Sequence, residues 1–303
     1  MSTQFFTYWK LHKTSILLSC LSLGLYLVFA YNLERYDFTK LITLSIALFF
    51  LCYKLVQFEK WNFNFLLTVG LLSRLVFMVA EPNLSQDFYR FIWDGELINN
   101  GINPYLYTPN EIMENPKLVV NKLGAFQIHN SNMLFEGMGE LSARHYSNYP
   151  PLNQIIFAIA SFLGNGSLLA SLIAMRIFII GADLGILYFG RKLIQNLGAS
   201  NHLAFWYFLN PLVIIELTGN LHFEGVMLFF FVWSIYLISK QKWKPAAPVY
   251  AMAIVLKLVP LLFLPLFLKQ FGLKKSVSFY LLVALTCVVI MLPFYSPIFI
   301  DNY

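Results

Sequence analysis

Long apolar runs separated by short clusters of lysine and arginine are the feature that most constrains this chain. A helix that crosses the hydrocarbon core of a bilayer needs about 20 mainly apolar residues, and several of these runs approach that length. Only 12% of the 303 residues are charged, which is about half the fraction found in soluble domains. The sequence therefore predicts an all-α protein, a multi-pass transmembrane helical bundle.

The predicted spans form a single transmembrane domain, residues 1–303. They are residues 15–32, 40–58, 63–80, 168–190, 202–218, 222–239, 246–268 and 276–294. The segment 246–268 has lysines on both flanks and contains Lys257 and Pro260. One continuous helix there would violate the charge rule for membrane topology, so we expect a broken helix or a hairpin.

The positions of the basic residues predict the orientation of the spans. Lys10 and Lys13 place the amino terminus in the cytoplasm, and Lys54 and Lys60 place the turn after the second span there too. The long segment 82–153 then lies outside, which agrees with its excess of acidic residues. Because this segment is rich in aromatic residues, we expect a folded extracytoplasmic loop with short interfacial helices rather than disorder.

The net charge of +6 would suit nucleic-acid binding in a soluble chain, but here the basic residues flank apolar runs. We therefore expect membrane lipid as the surroundings of the chain and no nucleic-acid partner. The three cysteines lie inside apolar runs and lack metal-ligand spacing. The cysteines therefore indicate no metal site, and we expect no cofactor. The apolar runs place the chain in a membrane, which we expect to be the cell (inner) membrane.

Several ionisable and polar residues collect on the side that this topology makes external. Charged groups inside a membrane cost about 2.5–3.5 kcal/mol each on insertion scales, so a cluster of them indicates a functional site. The cluster comprises Asp87, Arg90, Asp94, Glu96, Glu216, Asn220, His222, Glu224 and Lys257. If residues 87–94 are helical, their spacing places Asp87, Arg90 and Asp94 near one face.

Several of these residues also have a simpler explanation. Either Asp87 or Asp94 could form a surface salt bridge with Arg90. Lys257 could extend its ammonium group to the membrane interface. His222 could be a polar residue that hydrogen-bonds between two helices.

The most specific pattern in the chain is SQDFYRFIWDGELINNGINPY, residues 85–105. It contains S-x-D-x-Y-x-[YF]-x-x-[DQ]-G followed by G-[IL]-[ND]-P-Y. This pattern resembles the first large external loop of bacterial polyprenyl-phosphate-mannose-dependent mannosyltransferases, which are multi-pass enzymes of the GT-C glycosyltransferase superfamily. The resemblance implies a helical bundle of GT-C type.

Two later elements also resemble this family. The first is Tyr149-Pro150-Pro151 at the end of the loop. The second is GNLHFEG, residues 219–225, which is similar to a family G-x-H-N-D element. His222 is kept there, whereas Phe223 and Glu224 stand where the family has Asn and Asp.

The resemblance implies an integral membrane inverting glycosyltransferase. Such an enzyme moves a hexose, here expected to be mannose, from a polyprenyl-phosphate sugar donor to an extracytoplasmic glycan or glycolipid acceptor. It needs a carboxylate base to activate the acceptor hydroxyl. Asp87 is the expected base, and Asp94 is the alternative that could bind sugar hydroxyls or share the role.

Two further groups of residues follow from the same resemblance and from the charge of the leaving phosphate. The residues expected to bind the donor phosphate or sugar are Arg90, Lys257, His222 and Glu224. The residues expected to support the loop are Gly95, Gly101, Pro104, Tyr105, Pro150 and Pro151.

A multi-pass secondary transporter or lipid-carrier flippase is the main alternative, since broken helices and intramembrane charges also describe secondary carriers. A membrane scaffold without activity gives no reason for charges to gather on one side. Proteins of this resemblance usually continue through several further spans. We therefore expect further C-terminal helices or a shortened family member.

Overall fold

In a computed structural model, the chain consists of helices joined by turns and short loops. The structure describes residues 2–119 and 128–296, and no β-strand occurs in those ranges. Part of the predicted external loop, 120–127, and the last residues, 297–303, lie outside the described ranges.

The helices are α1 Ser2–Asn32, α2 Phe38–Glu59, α3 Phe63–Leu75, α4 Asp87–Asn99, α5 Pro109–Glu114, α6 Ser131–Ala143, α7 Pro151–Gly164, α8 Leu168–Asn196, α9 Phe205–Phe208, α10 Pro211–Val213, α11 Glu224–Ser239, α12 Trp243–Ile254, α13 Leu266–Phe271 and α14 Leu273–Met291. A π-helical segment, Ile214–Gly219, follows α10. Short 3-10 helices span Pro116–Val119, Asn201–Ala204, Val259–Phe263 and Leu292–Phe294.

Within the described residues, four helices are long and apolar enough to cross a membrane. They are Tyr8–Asn32, Phe38–Glu59, Leu168–Asn196 and Leu273–Phe294. A fifth is added if the broken pair Pro211–Gly219 and Glu224–Ser239 is one span. The prediction of an all-α, multi-pass membrane protein is therefore confirmed, while the individual spans and their orientation stay predictions.

Two predicted spans are interrupted in the structure. The helix expected over 63–80 ends at Leu75, after which the backbone continues in turns. The segment expected over 202–218 breaks at Asn210, whose backbone is extended (φ −60°, ψ 122°). Pro211 explains this break, because a proline disfavours helical geometry in the residue before it.

The chain folds into two compact units. The first contains the described residues up to Leu84 together with Gly190–His222. Its apolar core brings together residues from α1, α2, the turns after α3 and the π-helical segment: Tyr26, Phe29, Leu44, Leu48, Phe77, Ile214 and Ile215. Arg74 is fully buried in this unit, where its Nη1 donates to the carbonyls of Gly70 and Phe208.

The second unit contains Ser85–Phe189 and the described residues from Phe223 onward. One part is a helical core in which α12 packs against α11 and α14 around Tyr250 and Phe279. The other part is built on α4, which packs against α6 and α7. Because α4 is covered on both sides, its residues Phe88 and Trp93 are buried, and its first turn is held in a fixed position.

Candidate functional site

The amino-terminal end of α4 forms one wall of a cavity of about 350 Å³ in the second unit. Asp87 is the first residue of this helix and is half-buried. Helix N-termini carry a partial positive charge, so a carboxylate at this position interacts favourably with the helix dipole. The cavity is also lined by residues in the last turn of α6 and directly after it: Ser142, His145, Tyr146, Ser147, Asn148 and Tyr149.

Tyr149 is the hydrogen-bond partner of the Asp87 carboxylate. Burial, together with the nearby carboxylates of Asp87 and Asp94, raises the pKa of the Tyr149 phenol. The phenol therefore stays protonated near neutral pH and can donate to Asp87. Its ring packs edge-on against Phe91 and Phe157, with centroid distances of 4.9 and 5.6 Å. The Phe91 and Phe157 rings thus hold Tyr149 in place, and Tyr149 in turn holds the Asp87 carboxylate.

Asp94 lies in a different environment, although it is on the same helix. Its side chain is fully buried. Oδ1 accepts a hydrogen bond from Arg90 Nε at 2.7 Å, while Oδ2 accepts from Ser147 Oγ at 2.5 Å and from Gln154 Nε2 at 2.9 Å. Every partner is a protein side chain, so Asp94 joins α4, the segment after α6 and α7 into one hydrogen-bonded cluster.

Arg90 is also buried and forms the charged partner of Asp94. Its Nη1 donates to the carbonyl oxygens of Ser142 and His145, at 2.8 and 3.0 Å. Nη2 is buried and has no hydrogen-bond partner in the part of the chain that the structure describes. Arg90 Nε and Nη1 are therefore already bonded to Asp94 and to residues of the cavity wall. This favours a role for Arg90 in orienting the wall over direct contact with a phosphate.

Lys257 and Glu224, both predicted to bind the donor, form an ion pair in the second unit. Each side chain is nearly half exposed. Lys257 lies in the break after α12, and this break is attached to the start of α7 because Asn153 Nδ2 donates to the Leu256 carbonyl at 2.8 Å. The two predicted binding residues are thus brought together next to the helix that follows Tyr149.

His222 belongs to the first unit. Its Nδ1 lies 3.2 Å from Glu216 Oε2, and both side chains are about one third exposed. Leu221, directly before it, has a positive φ of 61°, a conformation that is uncommon for a residue other than glycine. The sharp turn is therefore stabilised by its surroundings, including the contact between the imidazole and the carboxylate.

The two glycines predicted to support the loop have different roles. A Cβ on Gly95 would lie 2.4 Å from the Phe157 carbonyl oxygen, so a side chain there would push α4 away from α7. Gly101 has a φ of +75° and follows the carboxyl end of α4. A residue with a positive φ at that place ends a helix, and glycine adopts it without strain.

Among the remaining support residues, Tyr105 contacts Tyr149, and Pro150 and Pro151 follow it in the chain. Tyr105 is buried, and its hydroxyl donates to the Tyr149 carbonyl at 2.5 Å. Pro104, directly before it, is buried as well. Pro150 is the N-cap of α7 and Pro151 its first residue, where a proline is well tolerated because a backbone N–H there would have no intrahelical acceptor. Tyr149, which contacts Asp87, is therefore held by the hydrogen bond from Tyr105 and by the start of α7 that follows it.

The sequence did not indicate several residues of this site. Ser147 and Gln154 complete the cluster around Asp94, and the Tyr149 hydroxyl is the partner of Asp87. Tyr149 belongs to the Tyr149-Pro150-Pro151 motif, in which the two prolines are the predicted support residues. The sequence therefore indicates the position of Tyr149 but not its contact with Asp87. Ser147 and Gln154 are ordinary polar residues, and no spacing signal distinguishes them.

No group of three or more His, Cys, Asp or Glu side chains that could hold a metal ion occurs in residues 2–119 and 128–296. A mechanism that uses only protein side chains stays a prediction from the sequence.

Two characterised proteins are similar to this chain. Alpha-(1->6)-mannopyranosyltransferase A of Mycobacterium tuberculosis is 22% identical over 152 residues, which cover 50% of this chain and 26% of that protein. Alpha-(1->6)-mannopyranosyltransferase B of Corynebacterium glutamicum is 27% identical over 190 residues, which cover 59% of this chain and 29% of that protein. The matched regions therefore span less than a third of either relative. No solved structure matches the chain.

A family model also matches, described as the N-terminal domain of Alpha-(1->6)-mannopyranosyltransferase. It covers residues 38–271, well over half of the chain, and includes α4, its cavity and the break that carries Lys257. The predicted resemblance of the chain to mannosyltransferases is thereby confirmed. The chain belongs to the alpha-(1->6)-mannopyranosyltransferase family.

Proposed function

We propose that this chain is a membrane mannosyltransferase, or the part of one that carries the catalytic loop. It transfers mannose from a polyprenyl-phosphate donor to a glycan or glycolipid acceptor on the extracytoplasmic face of the cell membrane. The names of both similar proteins support mannose as the sugar and an α-(1→6) bond as the product.

The position of Asp87 supports its role as the general base. It is the carboxylate on α4 that lines an open cavity, whereas Asp94 is fully buried and accepts three hydrogen bonds from protein side chains. A base must come within about 2.6–3.2 Å of the hydroxyl that it deprotonates. An acceptor sugar that enters the cavity can meet this condition with Asp87.

The proposed reaction is a single displacement with inversion at the anomeric carbon. The acceptor hydroxyl oxygen attacks that carbon while its proton moves to Asp87. The bond between the anomeric carbon and the phosphate oxygen breaks, and its electron pair leaves with the polyprenyl phosphate. General-base catalysis of this kind contributes roughly 10²–10⁴ in rate.

Tyr149 supports this chemistry by orienting the base. Its phenol is held by Phe91 and Phe157 and hydrogen-bonds the Asp87 carboxylate. A neutral donor fixes one oxygen of the carboxylate while the other accepts the proton. Tyr149 is therefore a positioning residue in the proposed mechanism.

Lys257 is the proposed contact for the donor phosphate. Its ammonium group is nearly half exposed, so an incoming phosphate can reach it. Its ammonium group is paired with Glu224, and an anionic phosphate would compete with that carboxylate for it. For His222, a role towards the donor rests on the sequence resemblance, and the variant His222→Ala tests it separately.

The proposal is tested with membranes from cells that express the chain. Radiolabelled polyprenyl-phosphate-mannose is added, and the glycolipids and glycans are extracted and counted. We expect label in an acceptor, and no transfer from a nucleotide-activated mannose in membranes without the lipid-linked donor. No labelled product, or equal use of the nucleotide donor, would contradict the proposed function. Movement of the intact donor across the membrane without transfer would support a flippase instead.

A further inference from the structure

A second cavity, of about 470 Å³, lies in the first unit, near the turn that joins α2 and α3. Its chemically distinctive side chains are three basic residues, Lys60, Arg191 and His202, and three aromatic residues, Trp61, Phe63 and Phe205. None of the described residues that line it is acidic. The proposed transfer reaction makes no use of this cavity.

The basic residues are held in place by aromatic contacts rather than by carboxylates. The Arg191 guanidinium lies over the Phe63 ring at 4.6 Å, and the Lys60 ammonium lies over the Trp61 ring at 5.5 Å. Such cation–π contacts orient a charge without neutralising it. The positive charge of both side chains therefore remains available to an anionic ligand.

Two further features favour an anion. Arg191 Nε is buried and has no hydrogen-bond partner in the described part of the chain. Buried donors are normally paired, so this guanidinium has hydrogen-bonding capacity that the described part of the protein does not use. His202 Nδ1 lies 2.8 Å from Ser200 Oγ, which leaves Nε2 as the ring nitrogen for a ligand.

The nearest potential competitors for the positive charge are already engaged. Glu59, next to Lys60, is buried, and its carboxylate oxygens contact His12 Nδ1 at 2.7 Å and Asn62 Nδ2 at 3.1 Å. At the end of α8, the carbonyls of Leu193 and Ile194 accept from backbone N–H groups. These acceptors are thus not directed at Arg191 or Lys60.

We propose that this cavity binds a phosphate group. Arginine, lysine and imidazole are the side chains that recognise phosphate oxygens, and an arginine can contact two of them at once. The aromatic wall suits a phosphate that is attached to an organic group, because Trp61 is 78% exposed at the rim and can pack against it. An anionic lipid headgroup and a soluble phosphate ester share this chemistry.

The experiment uses the full chain, purified in a neutral detergent, with three probes. They are a short-chain phosphatidylglycerol, the phosphatidylcholine with the same acyl chains, and inorganic phosphate, each titrated by calorimetry. We expect phosphatidylglycerol to bind at least about tenfold more tightly than phosphatidylcholine, whose choline cation offsets the phosphate charge. Competition by inorganic phosphate at millimolar concentration would show that the phosphate group alone is enough for binding. It would favour a soluble phosphate ester as the ligand. Binding of the lipid without such competition would identify a headgroup.

Variants locate the binding in this cavity. Lys60→Gln, on an exposed side chain, and Arg191→Gln should each weaken phosphatidylglycerol binding about tenfold, the value of one charge-assisted hydrogen bond. Lys244→Gln is the matched control, because Lys244 also lies over a tryptophan, Trp243, but outside the cavity. Equal binding of the two lipids, or unchanged binding in Lys60→Gln, would overturn the proposal even if Arg191→Gln failed to fold.

Discussion

At the scale of single residues, Asp87 and Asp94 are two carboxylates on one helix with different surroundings. Asp87 faces a cavity and contacts one phenol, whereas Asp94 is enclosed by Arg90, Ser147 and Gln154. Removing one partner of a buried ion pair is costly, because the other charge is left buried without compensation. We therefore expect the Asp87 carboxylate to act in the reaction and the Asp94 carboxylate to stabilise the fold.

Asp94→Asn should destabilise the protein by about 3 kcal/mol, because it leaves the buried Arg90 guanidinium without its counter-charge. The measurement is the free energy of unfolding in detergent, compared with that of Asp87→Asn. Asp87 is half-buried and outside this cluster, so we expect its variant to stay within about 0.5 kcal/mol of wild type. Equal stability of all three proteins would show that the Asp94 cluster is not structural.

Tyr149→Phe should lower the turnover number by roughly ten- to hundredfold, because it removes a hydrogen bond to a charged group worth about 1.5–3 kcal/mol. The Michaelis constant for the donor should change little. Since burial and the nearby carboxylates raise the pKa of Tyr149, its ionisation adds no alkaline limb to the rate profile between about pH 7 and 9. A wild-type limb in that range that Tyr149→Phe abolishes would contradict this assignment.

At the scale of elements, the close approach of α4 and α7 positions the cavity. Gly95 allows it, and Asn99 Nδ2 donates to the Ala158 carbonyl at 3.0 Å further along the same contact. The stacked rings of Phe91 and Phe157, 4.3 Å apart, fill the space between the helices near Asp87. A small displacement of α4 would therefore move the base relative to Tyr149.

Gly95→Ala should destabilise the protein by about 1–3 kcal/mol, the usual cost of overpacking, and should lower transfer activity at the same time. The reason is that its Cβ would meet the Phe157 backbone, which cannot move like a flexible side chain. Gly181→Ala is the matched control, since a Cβ at that helical position meets nothing within 4 Å. Thermal unfolding and the mannose-transfer assay check both variants. Normal stability and activity in Gly95→Ala would contradict the role of this contact.

The sequence predicted α4 better than it predicted the contacts of α4. The spacing of Asp87, Arg90 and Asp94 placed them near one face, and it allowed a surface salt bridge between Arg90 and either carboxylate. The structure has the pair between Arg90 and Asp94, but the pair is buried. Gln154 joins this cluster from α7, at a sequence distance of 60 residues from Asp94. Tertiary packing creates such a contact, and local periodicity carries no information about it.

At the scale of the whole molecule, composition was sufficient to predict an all-α membrane protein, because apolar runs of spanning length allow few other folds. The division into two units could not be predicted, since each unit joins segments that are distant along the chain. The interrupted helix before Pro211 shows the same limit. Its residues are apolar enough for a span, but a proline sets where the backbone turns.

The predicted orientation can be tested with single cysteines in a chain whose Cys20, Cys52 and Cys287 are replaced by alanine. Lys117→Cys should react with a membrane-impermeant maleimide in intact cells, whereas Lys240→Cys should react only after permeabilisation. The protein covers neither side chain, so a difference in labelling reports the side of the membrane on which each residue lies. The reverse pattern would place the α4 cavity in the cytoplasm and remove the basis for a lipid-linked donor.

The central claim is that Asp87 is the base for mannose transfer, and Asp87→Asn tests it most directly. Membranes that contain equal amounts of wild type, Asp87→Asn and Glu114→Gln are given radiolabelled polyprenyl-phosphate-mannose. Glu114 is an exposed carboxylate of the same loop outside the cavity, so its variant should transfer mannose at the wild-type rate. We expect Asp87→Asn to lose at least about a hundredfold in rate, the lower bound for a general base. Wild-type turnover in Asp87→Asn would contradict the claim.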